Sequence, residues 1–221
     1  MTETLAPLQH LDFKCECGAV RGVLHGASSR PGRRVICHCN NCQAFAHYLG
    51  RETQMLDDNA GTSVYQTDPS RFKITKGRER IACVNLTNKP MLHWYCADCR
   101  TPIAKTLSSA RFAFLSLILT GFDSGKTNAL LGTDVKHVAT WSGAGDMSKV
   151  KKAGILGITA IIWDMLLRTT KAQLKPELGQ SPLFDSNTGE PVTTPIKLTR
   201  AERLALDEKA DVYRDVLAEL G

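Results

Sequence analysis

The chain has 221 residues, of which 43% are hydrophobic and 23% charged, and a formal net charge of +6. This balance belongs to a soluble globular protein with a real core, either one elaborated domain or a domain with an appendage. The basic excess suits anionic partners in general, but no aromatic-interleaved basic helix or DNA-binding module accompanies it, so nucleic acid is not indicated. Arg30, Arg33, Arg34, the stretch 71–80 and Lys149, Lys151 and Lys152 read as a solvated basic surface. The amino terminus has an acidic residue where a secretory signal would be basic, and no apolar run precedes Cys15. A cytoplasmic location is therefore expected.

From Phe13 to about Trp141 the chain reads as short strands between turns. Residues 19–24 have β character, 71–75 alternate with period two, and 80–86 continue in that manner, with Gly77 marking a hairpin turn. Residues 112–119 are apolar nearly throughout, which predicts a strand buried on both faces. A helix is expected over 149–168, capped by Asp146. It is apolar on almost every side yet too short to span a bilayer. It suits packing into the domain or a homodimer contact, and its basic start also permits lying on a membrane surface. Pro176, Pro182, Pro191 and Pro195 mark a surface arm. A last helix begins at Thr199 with a capping box to Glu202 and carries the stripe Leu206, Ala210, Tyr213, Leu217 and Leu220. The expected division is a metal-bearing domain over 1–141 and a helical extension over 142–221, joined by a proline-rich segment at about 174–198.

Seven of the eight cysteines fall into three clusters, Cys15-x-Cys17, Cys37-x-Cys39-x-x-Cys42 and Cys96-x-x-Cys99. A disulfide framework belongs to small secreted chains, which this is not. A closed structural zinc takes four ligands, whereas a catalytic one keeps three and an open position. Cys15, Cys17, Cys96 and Cys99 supply a sulfur-only structural site that clamps a long loop. Cys37, Cys39 and Cys42 ask for a cation of their own, since three close thiolates repel. The fourth position there is either open or filled by His47, His93, Cys83 or His38, although His38 lies between two ligands and is expected to point away. Cys83 reads as a small buried hydrophobe. Two zinc ions per chain are expected.

Cys-x-Cys-Gly-x-Val at 15–20, Cys-His-Cys-x-x-Cys at 37–42 and Trp-Tyr-Cys-x-x-Cys at 94–99 together resemble the glutathione-dependent formaldehyde-activating enzyme (Gfa) and centromere protein V superfamily, over roughly residues 13–120. The resemblance implies a mainly β, Mss4-like fold of antiparallel sheets, a structural four-cysteine zinc and a catalytic zinc on Cys37, Cys39 and Cys42. It also implies a carbon-sulfur lyase reaction joining glutathione to formaldehyde or cleaving the adduct. A tris-thiolate zinc is a weak Lewis acid toward water but binds an incoming thiol readily, and nearby Arg or Lys residues would greet the carboxylates of the thiol. The alternative reading is a non-catalytic, zinc-stabilised binding module whose carboxy-terminal helices contact a partner or a membrane surface. Two features depart from the superfamily pattern. Arg100 stands where glycine usually follows the last cysteine, with the capacity to alter access near the metal or greet an acidic substrate, and nothing beyond about residue 140 has a counterpart. Gly121 to Thr127 looks like a phosphate-binding loop but is one residue short of the motif. His10, His25 and His137 read as surface or capping residues, and Trp94 and Tyr95 as packing around the metal.

Overall fold

A computed structural model describes residues 9–29, 34–87, 89–175, 177 and 179–220. Arg30, Arg33 and Pro176 lie outside these residues, as does the side chain of Leu220. Period-two alternation produces the first strands, β1 (His10–Lys14) and β2 (Arg21–His25), whose inward residues include Leu11, Phe13 and Leu24. Next come β3 (Arg34–Cys37), the helices α1 (Asn40–Leu49) and α2 (Glu52–Met55), β4 (Thr62–Thr67), β5 (Phe72–Lys76) and β6 (Ile81–Asn85). They are followed by β7 (Met91–Cys96), β8 (Pro102–Leu107), β9 (Leu115–Ile118), α3 (Ser124–Leu131), β10 (Lys136–Val138), α4 (Ile155–Leu174), β11 (Ile196–Lys197) and α5 (Arg200–Leu220).

Two sheets form, a three-stranded one in the order β1-β2-β5 and an eight-stranded one in the order β10-β3-β4-β9-β8-β7-β6-β11. The interior pairings of the large sheet are antiparallel, while β10 and β11 add in parallel at its two edges. One core, built on Phe13, Phe72, Trp94, Ile103 and Leu117, lies toward the small sheet. A second, containing Phe45, Leu49, Val64, Val84, Tyr95 and Leu206, joins the large sheet to α1 and α5. The described residues are 37% helical and 27% strand: the large β-sheet and the carboxy-terminal helix are as expected, but the architecture is mixed rather than mainly β.

Other readings change in detail. Gly77 does not close a hairpin: β5 and β6 belong to different sheets, and Gly77, at φ 73°, carries the chain from one to the other. A Cβ there would stand 2.1 Å from the carbonyl oxygen of Ala19. The buried strand expected at 112–119 narrows to β9, with Phe112 half exposed. Its four residues are all buried, between β4 and β8. The helix expected from residue 149 begins at Ile155, after Gly154, because Asp146 turns onto the backbone N–H of Ser148 instead of starting it. The proline-rich arm is not wholly on the surface, for Leu183 and Phe184 plug the first core and Phe184 meets the Trp94 ring edge-on at 5.8 Å. The capping box forms as read: Thr199 Oγ1 accepts from the Glu202 N–H, and Glu202 accepts from the Thr199 N–H at 2.8 Å. Leu206 and Ala210 are buried and Tyr213 and Leu217 partly so, which makes the stripe the face of α5 that packs on α1.

Candidate metal centres

The first centre is built from two short knuckles. After β1 the chain turns back, with the Gly18 N–H on the Cys15 carbonyl and the Cys15 N–H on the Val20 carbonyl. Between β7 and β8 it does the same, with the Arg100 N–H on the Cys96 carbonyl and the Cys96 N–H on that of Thr101. The residue after each second cysteine is left-handed, Gly18 at φ 72° and Arg100 at φ 59°. Arg100 thus pays in backbone strain, on the order of 1–3 kcal/mol, where glycine would not. Its guanidinium donates to the Tyr48 carbonyl and lies 6.0 Å from the centroid of that ring, which occupies it with α1.

These knuckles bring Cys15, Cys17, Cys96 and Cys99 together, with all four sulfurs within 4.8 Å of one another. Cys15 and Cys17 are 3.5 Å apart and Cys17 and Cys96 3.8 Å. A tetrahedron with metal–sulfur bonds of about 2.3 Å has edges of about 3.8 Å, so the cage has the dimensions of a metal site. A disulfide, at about 2.05 Å, is far shorter. All eight cysteines are free. The Val20 N–H donates to the Cys15 sulfur at 3.2 Å, and Thr101 Oγ1 lies 3.2 Å from that of Cys99. Burial pushes the Cys96 thiol up to about 12. It also works against ionisation of Cys99, but hydrogen bonds led by the Thr101 hydroxyl prevail and bring that thiol down to about 6.

The second centre gathers where β3 runs into α1. Cys37 ends the strand, Cys39 is the N-cap of the helix and Cys42 lies in its first turn. The Cys42 and Gln43 N–H groups both donate to the Cys39 carbonyl. The positive end of the helix dipole thereby faces the thiols, which favours their ionised form. Cys39 stands 3.5 Å from Cys37 and 3.4 Å from Cys42. Hydrogen bonding shared with Cys37 and Cys42 holds Cys39 far below the usual thiol range, while the same sharing pushes Cys42 well above it. Gln43, fully buried, ties the loop down by donating to the carbonyls of His38 at 2.8 Å and Ser142 at 2.6 Å, and it accepts from Arg214.

Among the described residues no fourth cysteine, histidine or carboxylate joins this group. His38 points away as expected, its ring bonded to the Asn59 carbonyl at 2.9 Å and to His137 at 2.8 Å. His137 is thereby a partner of His38 rather than a simple surface residue. His47 sits beside Glu52 and against the Tyr213 ring. Cys83 is buried in the first core, with its thiol pushed up to about 12 by desolvation. His93 is buried against Phe45, and neither ring nitrogen makes a hydrogen bond of normal geometry among the described residues.

The group that sequence reasoning missed is Lys105. Buried on β8, it donates from Nζ to the Cys42 sulfur at 2.9 Å. Burial lowers its pKa, but the charges of Cys42, Cys37 and Cys39 outweigh that and raise it. The charges balance: a divalent ion on three thiolates carries minus one, and one ammonium cancels it. The signal available was a lysine inside the otherwise uncharged stretch Thr101 to Leu107.

The phosphate-loop resemblance is answered by Asp123, whose carboxylate accepts the Lys126 N–H at 2.7 Å and so occupies the N-terminus of α3.

Residues 8–194 match a family of unknown function, DUF6151, and the chain belongs to it. No match to the formaldehyde-activating family accompanies this; what resembles that family is the arrangement of the cysteine clusters. No curated protein matches. Among solved structures, the crystal structure of a Rhodobacter sphaeroides protein aligns at 15% identity over 51% of this chain and 88% of that one, with a TM-score of 0.35.

Proposed function

We propose that the chain is a zinc-dependent, carbon-sulfur lyase-like protein acting on the adduct of a small aldehyde with a thiol of the glutathione type. The observation that carries this reading is the three-thiol cluster with no fourth described ligand and a buried ammonium against it. Cys37, Cys39 and Cys42 would hold the metal. Zinc, when bound, supplies a place where an external thiol is kept ionised at neutral pH for joining to, or release from, a carbonyl carbon. Lys105 leaves the thiolate cage without net charge, so an approaching anionic sulfur is not repelled. Gln43 fixes the loop, and the first turn of α1 adds its dipole.

The other centre is proposed as structural. It joins Cys17 to Cys96, 79 positions apart in the chain, so metal binding there adds to folding energy. Free thiols throughout suit a reducing cytoplasm. The proposed division near residue 141 is one of chemistry rather than of independent folding, because β11 and α5 pack on the metal-bearing part.

The test is metal content, sulfur coordination and turnover in three chains. The natural chain should hold two zinc ions, one of them with three sulfurs and exchangeable on adding glutathione, and should form or cleave S-hydroxymethylglutathione. Cys39→Ser should lose one zinc and all turnover while keeping the fold, and Cys96→Ser should unfold much of the chain. Two inert four-sulfur sites, or a single zinc, would sink the proposal. The binding-module reading is favoured by the exposed apolar helix described next.

A further inference from the structure

Helix α4 buries only Arg168, Thr169 and Ala172. At 100° per residue, the exposed Ile155, Leu156, Ile162, Trp163, Leu166, Leu167 and Leu174 project over one continuous face, and Ile158, beyond the buried Thr169, extends it to half of the helix surface. The exposure is large, 86% at Leu156, 65% at Trp163 and 79% at Leu174. No charged residue falls in this half. Thr159 and Thr170, which share it, turn their hydroxyls onto the carbonyls of Leu156 and Leu166, and Gln173 is its one amide. Such a face is costly in water and calls for a cover.

The charges at its ends say which cover. Lys149, Lys151 and Lys152 precede the helix and are exposed, and Lys136 Nζ lies over the first turn, beside Gly157. Lys171 and Lys175 stand exposed at the other end. Lys149 and Lys151 are paired with Asp146 and Asp134, whereas Lys152, Lys171 and Lys175 have no ion-pair partner among the described residues. Glu177 is the nearest acidic residue beyond the helix. A second copy pairing two-fold along this helix would set lysine against lysine whether the helices ran parallel or antiparallel. An anionic surface meets both ends favourably and the apolar middle as well. Trp163, central and exposed, is the residue type that settles at a lipid headgroup boundary. No helix of the described residues is long and apolar enough to cross a membrane.

We propose that α4 docks the protein on an anionic lipid bilayer, lying in the interface with its charge-free half toward the acyl chains and its terminal lysines on the headgroups. The test is flotation of the full-length, metal-loaded chain with phosphatidylcholine vesicles and with phosphatidylserine-rich ones. The expected result is binding to the anionic vesicles alone, weakened by added salt. Leu166→Glu, and separately the pair Lys171→Glu with Lys175→Glu, should each lower partitioning by about tenfold or more. Metal content and turnover of the Leu166→Glu chain should match the natural one, so loss of docking is distinguishable from failure of the proposed activity. Absence of binding to anionic vesicles overturns the proposal. So does a stable dimer in light scattering that Leu166→Glu dissociates, which would make a second copy the occupant.

Discussion

Lys105 and His93 stand opposite one another in the pairing of β7 with β8, and each carries a buried nitrogen beside the three-cysteine centre. Lys105 has a partner in Cys42. Removing one member of a buried charged pair leaves the other uncompensated, so Lys105→Met is expected to cost about 3–5 kcal/mol in urea unfolding of the metal-loaded chain. On the proposed assignment of zinc to both centres, this variant should also lose the ion more readily here than from the other. His93 has no such partner: burial, helped by the Lys105 charge, brings its pKa down to about 3 from the ordinary 6.5. The unfolded chain therefore takes up a proton near pH 6.5 that the folded chain refuses until about 3. Stability present above pH 6.5 drains away as pH falls across that interval. The melting temperature of a His93→Leu chain relative to the natural one should accordingly rise as pH is lowered from 7 toward 4. A loss of zinc from His93→Leu at pH 7 would instead make the imidazole a ligand.

Among the elements, the segment from β5 to β6 shows how local pattern and actual pairing differ. Two alternating runs around Gly77 look like a hairpin, and both runs are indeed strands. Yet each pairs elsewhere, β5 with β2 and β6 with β7. Gly77 is needed twice over, for its left-handed φ and because a side chain would meet Ala19. Gly77→Ala is expected to cost upwards of about 2 kcal/mol in denaturant unfolding, more than the loss of a cap would. The capping box at Thr199 was legible because its partners lie three residues apart. The late start of α4 was not, because Asp146 had a competing local bond to Ser148.

The carboxy-terminal third completes the sheet and covers its helical side. β11, and β10 just before this third, form the two edges of the large sheet, and edge strands of only two and three residues offer little to other chains. α5 lays Leu206 into the core around Phe45 and anchors to α1 through Arg203 on Asn41 and Arg214 on Gln43. A chain ending at residue 198 is expected to lose cooperative unfolding and to aggregate at concentrations where the full chain stays monodisperse in light scattering, since the core around Phe45 and Leu49 loses its cover.

Spacing alone was enough to single out seven cysteines in clusters of two, three and two, because short loops place only near neighbours together, and the ligand numbers of zinc divided them into four and three. The alternation of the strands and the stripe of the last helix were readable for the same local reason. Bringing Cys15 to Cys96, setting Lys105 against Cys42, turning His38 toward His137 and leaving half of α4 bare all depend on which strand pairs with which. Pairing between distant segments is decided by the competition of whole faces for burial, and no stretch of a few residues contains that information.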